Sequence, residues 1–309
     1  MRAAIIPGKG GDPQICSFVE PDADEGLCKI DVMAGGIGPT DIMRAAGLYG
    51  SMPYPYVVGG EGVGRRGDGS RVYFGHSKAP FGAWAERTVV PVDEVWPLPD
   101  GIDDGLAIAL AISGTGALIP LEEAHIQPGD TVLVLGATGA VGQIALQLAR
   151  ILGAGKVVGA ARHSDALDRL RQKGIADETA QIGVGDDLAT LKAVAGHGYN
   201  VVLDCIYGSP AEAAMRATAP GARMMSIGIQ AGATVTLSLR DLVFRSHIGV
   251  GTGQRPVAER RAAFDRLISL GLAGRIKVDV STYSLDQAGA AWEAQVKSPH
   301  GKIIVRPHA

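Results

Sequence analysis

From residue 131 onward the apolar positions alternate between two rhythms. Thr131–Leu135 is apolar on both faces, as expected of a strand inside a parallel sheet. Apolar residues then fall at 141, 144, 145, 148, 151 and 152, which places them on one side of a helix. The alternation recurs. KVVGAAR reads as a second buried strand, and SDALDRLRQKG as a helix started by Ser164 and ended by Gly174. NVVLDCIYG reads as a third strand, and SPAEAAMRATAPG as a helix capped by Ser209 with Pro210 in its first turn. ARMMSIG makes a fourth strand. Strand and helix alternating at this tempo predict βαβ units and a doubly wound parallel sheet, an α/β fold class.

The first hundred residues follow another pattern. Runs such as CKIDVMAGG and AERTVVPVDEVWPLP cluster β-branched residues between Gly, Pro and Asp, the mark of short strands broken by turns. The one short helical candidate is PTDIMRAAG, with Thr40 as cap and Gly47 as its end. Residues 104–124 read as helical, interrupted by Gly114 and Gly116, and residues 255–274 as one more helix. The last thirty residues read strand, helix, strand. No internal repeat or low-complexity linker divides the chain. The pattern predicts a mainly-β domain over 1–111, a nucleotide-binding domain over 112–252, and a return to the first domain over 253–309.

Composition narrows the class. The chain has 309 residues, a formal net charge of −3 and only short basic pairs such as Arg65-Arg66, so no broad field for nucleic acid or an acidic membrane is expected. The opening MRAAIIPGKGG has no apolar stretch of signal-peptide length, and no later segment reads as a membrane span. Three widely spaced cysteines, Cys16, Cys28 and Cys205, argue for a reduced, cytoplasmic setting over a disulfide framework. The 44 glycines are about twice the usual share of roughly 7% and imply many close backbone approaches.

The candidate chemistry centres on GATGAVGQIALQLARILGA, residues 136–154, which follows a predicted strand and opens a predicted helix. Gly139 lets the backbone approach a diphosphate without a Cβ in the way, and Gly142 lets the helix pack closely on the strand. The N–H groups of Gly139, Ala140, Val141 and Gly142 then face the anion at the positive end of the helix. In a strict G-x-G-x-x-G pattern the first glycine is replaced here by Ala137. The plain alternative is a strand–turn–helix whose glycines only relieve crowding. At the end of the next strand an NAD site usually carries an acid for the ribose hydroxyls. This chain instead reads VVGAARHSD, with Arg162 and His163 in that place. A guanidinium can donate two parallel hydrogen bonds to a 2′-phosphate, so NADPH is the expected cofactor. Asp165 is close enough in sequence to pair with Arg162 instead.

These pieces occur in an order that resembles the medium-chain dehydrogenase/reductase superfamily. GGIGPTDIMRAAGLYG followed by PYPYVVGGEGVG is similar to its N-terminal signature, QPGDTVLVLGATGAVGQIALQLARILGA to its nucleotide-domain core, and HGKIIVRP to its last strand. The resemblance implies a GroES-like catalytic domain built from both chain ends, a Rossmann domain between, and a homodimer or homotetramer acting on a small molecule. Zinc members carry Cys where this chain has Gly38 and His where it has Gly60, and the four-cysteine structural lobe is missing. The chain therefore resembles the zinc-independent branch of quinone oxidoreductases and enal, enone and enoyl-thioester reductases. Even there it departs from the pattern, since Gly38 replaces the usual Asn and the segment from Glu61 to Trp84 is short.

The resemblance also implies site residues. Tyr49, in GLYG, matches a tyrosine that enoyl-thioester reductases place near the substrate, where it would stabilise an enolate oxygen. Packing on Pro53 or Pro55 is its plainer role. Asp41 matches the family's acidic position, either as a catalytic group or as an acceptor that fixes its loop. Ser113, Asp204, Cys205, Ile227, Gly228 and Gly251 are cofactor contacts by motif position. No metal-ligand spacing occurs among the seven dispersed histidines. The implied activity is NADPH-dependent reduction of a polarised C=C bond or a quinone. A metal-free carbonyl reductase and a nucleotide-binding protein with little catalysis remain the alternatives.

Overall fold

The computed structural model describes residues Met1–Ala309, and the chain divides into two compact units. One comprises Met1–Ala111 and Val278–Ala309, the other Ile112–Lys277.

The first unit is mainly β. Its long strand Leu27–Ile37 is the organiser: Leu27–Asp31 pairs antiparallel with Arg87–Pro91, Asp31–Gly36 with Glu61–Arg65, and Gly35–Ile37 with Lys302–Arg306. Through the last of these the C-terminus enters the same sheet as the N-terminal strands, beside Val280–Ser284. A small sheet of Gln14–Ser17, Arg2–Ile6 and Tyr56–Val57 lies in the same unit. Trp84 is fully buried among Ala4, Ile6, Ile37 and Trp292, and its indole N–H donates to the Gly35 carbonyl at 3.2 Å.

The second unit holds six parallel strands in the spatial order Glu178–Gln181, Lys156–Ala161, Thr131–Leu135, Tyr199–Asp204, Thr218–Ser226 and Ser246–Gly249. Counted along the chain this is order 3-2-1-4-5-6, the doubly wound arrangement whose ligands bind beyond the carboxyl ends of the strands. Val132, Leu133, Val134 and Leu135 are completely buried, as the unbroken apolar run requires of a strand covered on both faces. The crossover helices are Ala140–Ile151, Ser164–Gln172, Asp187–Ala195 and Gly208–Arg216.

Several sequence expectations are corrected. The strands Glu178–Gln181 and Ser246–Gly249, and the helix between Asp187 and Ala195, do not stand out in the sequence. The two strands are short edges with few buried side chains, so neither carries an apolar run. The chain re-enters the first unit at Val278, not at residue 253. Helix Val257–Leu272 stays with the second unit because Phe264, Leu267 and Ile268 are buried and because Arg255 and Arg266 pair with Glu123 and Glu122 of helix Gly114–Glu123. Ser209 lies inside its helix and caps nothing, the N-cap being Tyr207.

Gly114 and Gly116 do not break the run from Asp104 to Glu123; a π-helical turn at Ala109–Ser113 joins its halves instead. That 20-residue run is long and apolar enough by length and composition to cross a membrane, which the sequence reading missed. Its most apolar window is 89% buried within the fold, as suits a core helix.

Candidate functional site: a dinucleotide loop and an adjoining cavity

Leu135 ends its strand and Gly136 turns the chain at φ +78°, a conformation L side chains rarely adopt. The N–H groups of Gly136 and Ala137 donate to the Ala160 carbonyl at 2.9 and 3.1 Å, which ties the loop to the end of the neighbouring strand. Gln143 reaches back and donates from Nε2 to the Thr138 carbonyl at 2.9 Å. Gly139 is the N-cap of helix Ala140–Ile151, in extended conformation, and no side chain caps that helix start. A Cβ added at Gly139 would find only the Gly136 carbonyl, 3.6 Å away. At Gly142 it would stand 2.4 Å from the same oxygen and 2.6 Å from Ala137 Cα. Gly142 thus closes the helix onto the turn, and Gly139 leaves its outer face open. An uncapped helix start of this form fits the diphosphate of a dinucleotide.

Arg162 and His163 follow the strand Lys156–Ala161, beside that loop. The Arg162 side chain is exposed, its carbonyl accepts from Gln181 Nε2 at 2.9 Å, and no ion pair to Asp165 holds it. His163, not Ser164, is the N-cap of the next helix.

The carboxyl ends of three strands border a cavity of about 460 Å³. Ile227, Ile229 and Val250 give it apolar walls, and Tyr207, Ser226 and His247 give it polar and aromatic ones. Of the expected cofactor contacts, Ile227 and Gly228 line it. A Cβ on Gly228 would collide with the Cys205 carbonyl at 2.0 Å, so the wall depends on a glycine there. Burial pushes the Cys205 thiol up, and Asp204 beside it adds to the shift. Asp204 itself is fully buried and does not line the cavity: its carboxylate accepts from Ile206 N, Tyr207 N and Ser226 Oγ. Burial raises its pKa, against those three hydrogen bonds. Ser113 is buried at the end of the π-turn, and Gly251 lies beyond the strand Ser246–Gly249; neither lines the cavity. Tyr207, Ser226 and His247 are the residues the sequence reading missed. They carry no motif, and the strand bearing His247 is one of the two edges it did not recognise.

In the first unit, Tyr49 is about half exposed, with the Arg44 guanidinium 5.5 Å from its ring centre. Asp41 Oδ2 accepts from Gly38 N at 2.8 Å and so closes the start of helix Pro39–Ala45, where Gly38, not Thr40, is the N-cap. Burial pushes the Asp41 carboxyl up, while Arg44 at 3.7 Å and the Gly38 N–H oppose the shift. Close enough to act on the Asp41 charge, Glu61 and Lys302 form a buried pair at 2.6 Å, and Tyr73 donates to the other Glu61 oxygen at 3.0 Å.

Residues 140–269 match the zinc-binding dehydrogenase family. The quinone oxidoreductase-like protein 2 homolog of Nematostella vectensis is 26% identical over 98% of this chain and 88% of its own length. A mycocerosic acid synthase-like polyketide synthase of Mycobacterium tuberculosis is 29% identical over 100% of this chain, yet the chain spans only 16% of that protein. The quinone oxidoreductase of Thermus thermophilus, whose complex with NADPH is also solved, is 28% identical, with a TM-score of 0.83 over 99% of this chain and 100% of that one. Zinc does not fit the side chains present, because no three His, Cys, Asp or Glu residues come together to hold a metal ion.

Proposed function

From the premise that this chain fits the medium-chain dehydrogenase/reductase superfamily in fold and sequence, we propose that it is an NADPH-dependent oxidoreductase. Its proposed substrate carries a polarised C=C bond, as in an enal, enone or enoyl thioester, or is a quinone. The observation that carries this reading is the open helix start at Gly139 lying next to a strand end that bears Arg162 and no acid.

The N–H groups of Ala140, Val141 and Gly142 would hold the diphosphate, and the Arg162 guanidinium the 2′-phosphate. When bound, the dinucleotide supplies a hydride to the β-carbon or the quinone ring. The substrate oxygen then carries delocalised negative charge, which hydrogen-bond donors can stabilise without a Lewis acid. Tyr49 is the proposed donor, its ring held by Arg44. Asp41 acts on the loop, through Gly38 N. The test is titration of NADPH and NADH by quenching of protein fluorescence. NADPH binding at least about tenfold tighter, the scale of a charge-assisted contact, is the expected result; equal affinities would refute the 2′-phosphate assignment.

The proposal extends to assembly. Ser246–Gly249 is an edge strand, and Leu239, Val243 and Phe244 just before it are exposed. Unpaired strand edges invite another strand, and a twofold axis lets this one pair with its own copy. Phe244→Asp is expected to shift sedimentation toward the monomer.

A further inference from the structure

Three residues at the cavity form one hydrogen-bonded chain that the reaction described above does not use. Asp204 Oδ1 accepts the N–H groups of Ile206 and Tyr207 at 3.0 and 2.8 Å. Asp204 Oδ2 lies 2.8 Å from Ser226 Oγ, and Ser226 Oγ lies 2.9 Å from His247 Nε2. The chain runs from a fully buried carboxyl to a half-buried imidazole that lines the cavity.

Its directions follow from the donor inventory. Backbone N–H groups cannot reverse, so Oδ1 is always an acceptor. With Asp204 ionised, Ser226 directs its single hydrogen to Oδ2, and His247 Nε2 must donate to Oγ. With a proton on Oδ2 every bond reverses: Asp204 donates to Ser226 and Ser226 to Nε2. One proton can therefore pass between imidazole and carboxyl by two short transfers. Tyr207 holds the arrangement from the side. It sits at φ +58°, pinned by its bond to Asp204, with its ring 5.8 Å from the imidazole.

The other titratable groups around His247 leave it this one partner. Cys205 is kept neutral by burial, Arg223 on the adjacent strand is bound to Asp130 at 2.5 Å, and Arg245 is bound to Thr218 at 2.7 Å.

We propose that His247, linked through Ser226 to Asp204, is a proton-coupled sensor of the nicotinamide's charge in this cavity. The inference rests on the proposed function, which puts the redox end of the dinucleotide at the carboxyl ends of these strands. The dihydro ring is neutral and tolerates an imidazolium beside it. The oxidised ring is a cation, and two cations in one partly buried cavity repel. When the ring gives up its hydride, His247 releases its Nδ1 proton to the solvent of the cavity it lines, keeping the Nε2–H that bonds Ser226 Oγ while Asp204 stays ionised as the acceptor of the Ser226 hydrogen. The cavity then keeps the same net charge before and after the reaction.

The experiment is the ratio of the Kd values for NADP+ and NADPH between pH 6 and 8.5. The 2′-phosphate titrates in this range too, but equally in both nucleotides, so its effect cancels in the ratio. By reciprocal linkage the ratio is expected to rise at least about tenfold as pH falls. His247→Gln is expected to flatten it to within about twofold, the scatter of such measurements, by removing the linked proton. Ser226→Ala, which cuts the chain and keeps the imidazole, is expected to move the midpoint of the rise. A flat ratio in the unmodified protein, or a rise that survives in His247→Gln, overturns the proposal. Failure of both nucleotides to bind at any pH would overturn the proposed function first, a result distinct from a flat ratio.

Discussion

A Cβ on Gly142 would stand 2.4 Å from the carbonyl oxygen of Gly136, closer than any real side chain sits to a backbone oxygen. The two glycines are thus one device: the first turns the chain at positive φ, and the second lets the helix close over that turn. Gly142→Ala must push the helix off the strand. It is expected to cost about 1–3 kcal/mol of stability, as overpacking of a close contact does, and to abolish NADPH binding. Chemical denaturation and fluorescence titration check both, and an alanine variant that binds normally would show that the turn is not the cradle.

Arg162→Ala is expected to weaken NADPH binding at least about tenfold, the loss of a charge-assisted bidentate contact. NADH affinity should stay unchanged, because the exposed Arg162 side chain has no structural partner to lose. A parallel loss for both nucleotides would mean that the arginine acts on the fold and not on the 2′-phosphate.

Tyr49→Phe separates chemistry from packing. Its ring would still lie under the Arg44 guanidinium, so only the hydroxyl is removed. Turnover of an enone is expected to fall about a hundredfold, as when one oxyanion donor is deleted, with the KM for NADPH unaltered. Unchanged kcat would leave Tyr49 as a stacking partner of Arg44 and nothing more.

Asp41 gives a pH signature in stability. Burial holds its carboxyl above the ordinary range, even with Arg44 and the Gly38 N–H opposing. A carboxyl whose folded pKa exceeds its unfolded one takes up a proton on folding between the two values. Its stabilising contribution is complete below the unfolded pKa and is lost as pH rises through the folded pKa. Asp41→Asn keeps an acceptor for Gly38 N and removes the buried charge. It is therefore expected to raise Tm at pH 8 and to flatten the dependence of Tm on pH. A lower Tm at pH 8 would show that the charged form stabilises the loop.

The sequence made the centre of the nucleotide unit legible and its margins obscure, for one physical reason. Strands buried on both faces, such as Thr131–Leu135, must be continuously apolar, and a glycine turn leading into a helix has few residue choices. The edges Glu178–Gln181 and Ser246–Gly249 bury little, so their sequences are free to look like loops. The cavity was illegible for the same reason. His247 sits on one of those edges, Ser226 ends a strand 21 residues earlier, and Asp204 ends another; only the parallel register brings them together. Asp204 illustrates the limit of motif position. The pattern pointed to it as a cofactor contact, yet the fold buries it and gives it Ser226 and two backbone N–H groups to hold. The re-entry at Val278 was misplaced because helix Val257–Leu272 looks alike in sequence whichever unit covers it.

The central claim is that this chain uses NADPH to reduce an activated C=C bond or a quinone. Its most direct test is nucleotide consumption against a 2-enal, a cyclic enone, a benzoquinone and the matching saturated ketone, with no metal added and product analysis of the enone. Consumption of NADPH in preference to NADH on the enal, enone or quinone, with the C=C bond reduced where one is present, is the expected result. Turnover of the saturated ketone alone, or NADPH binding with no turnover on any of the four, would contradict it.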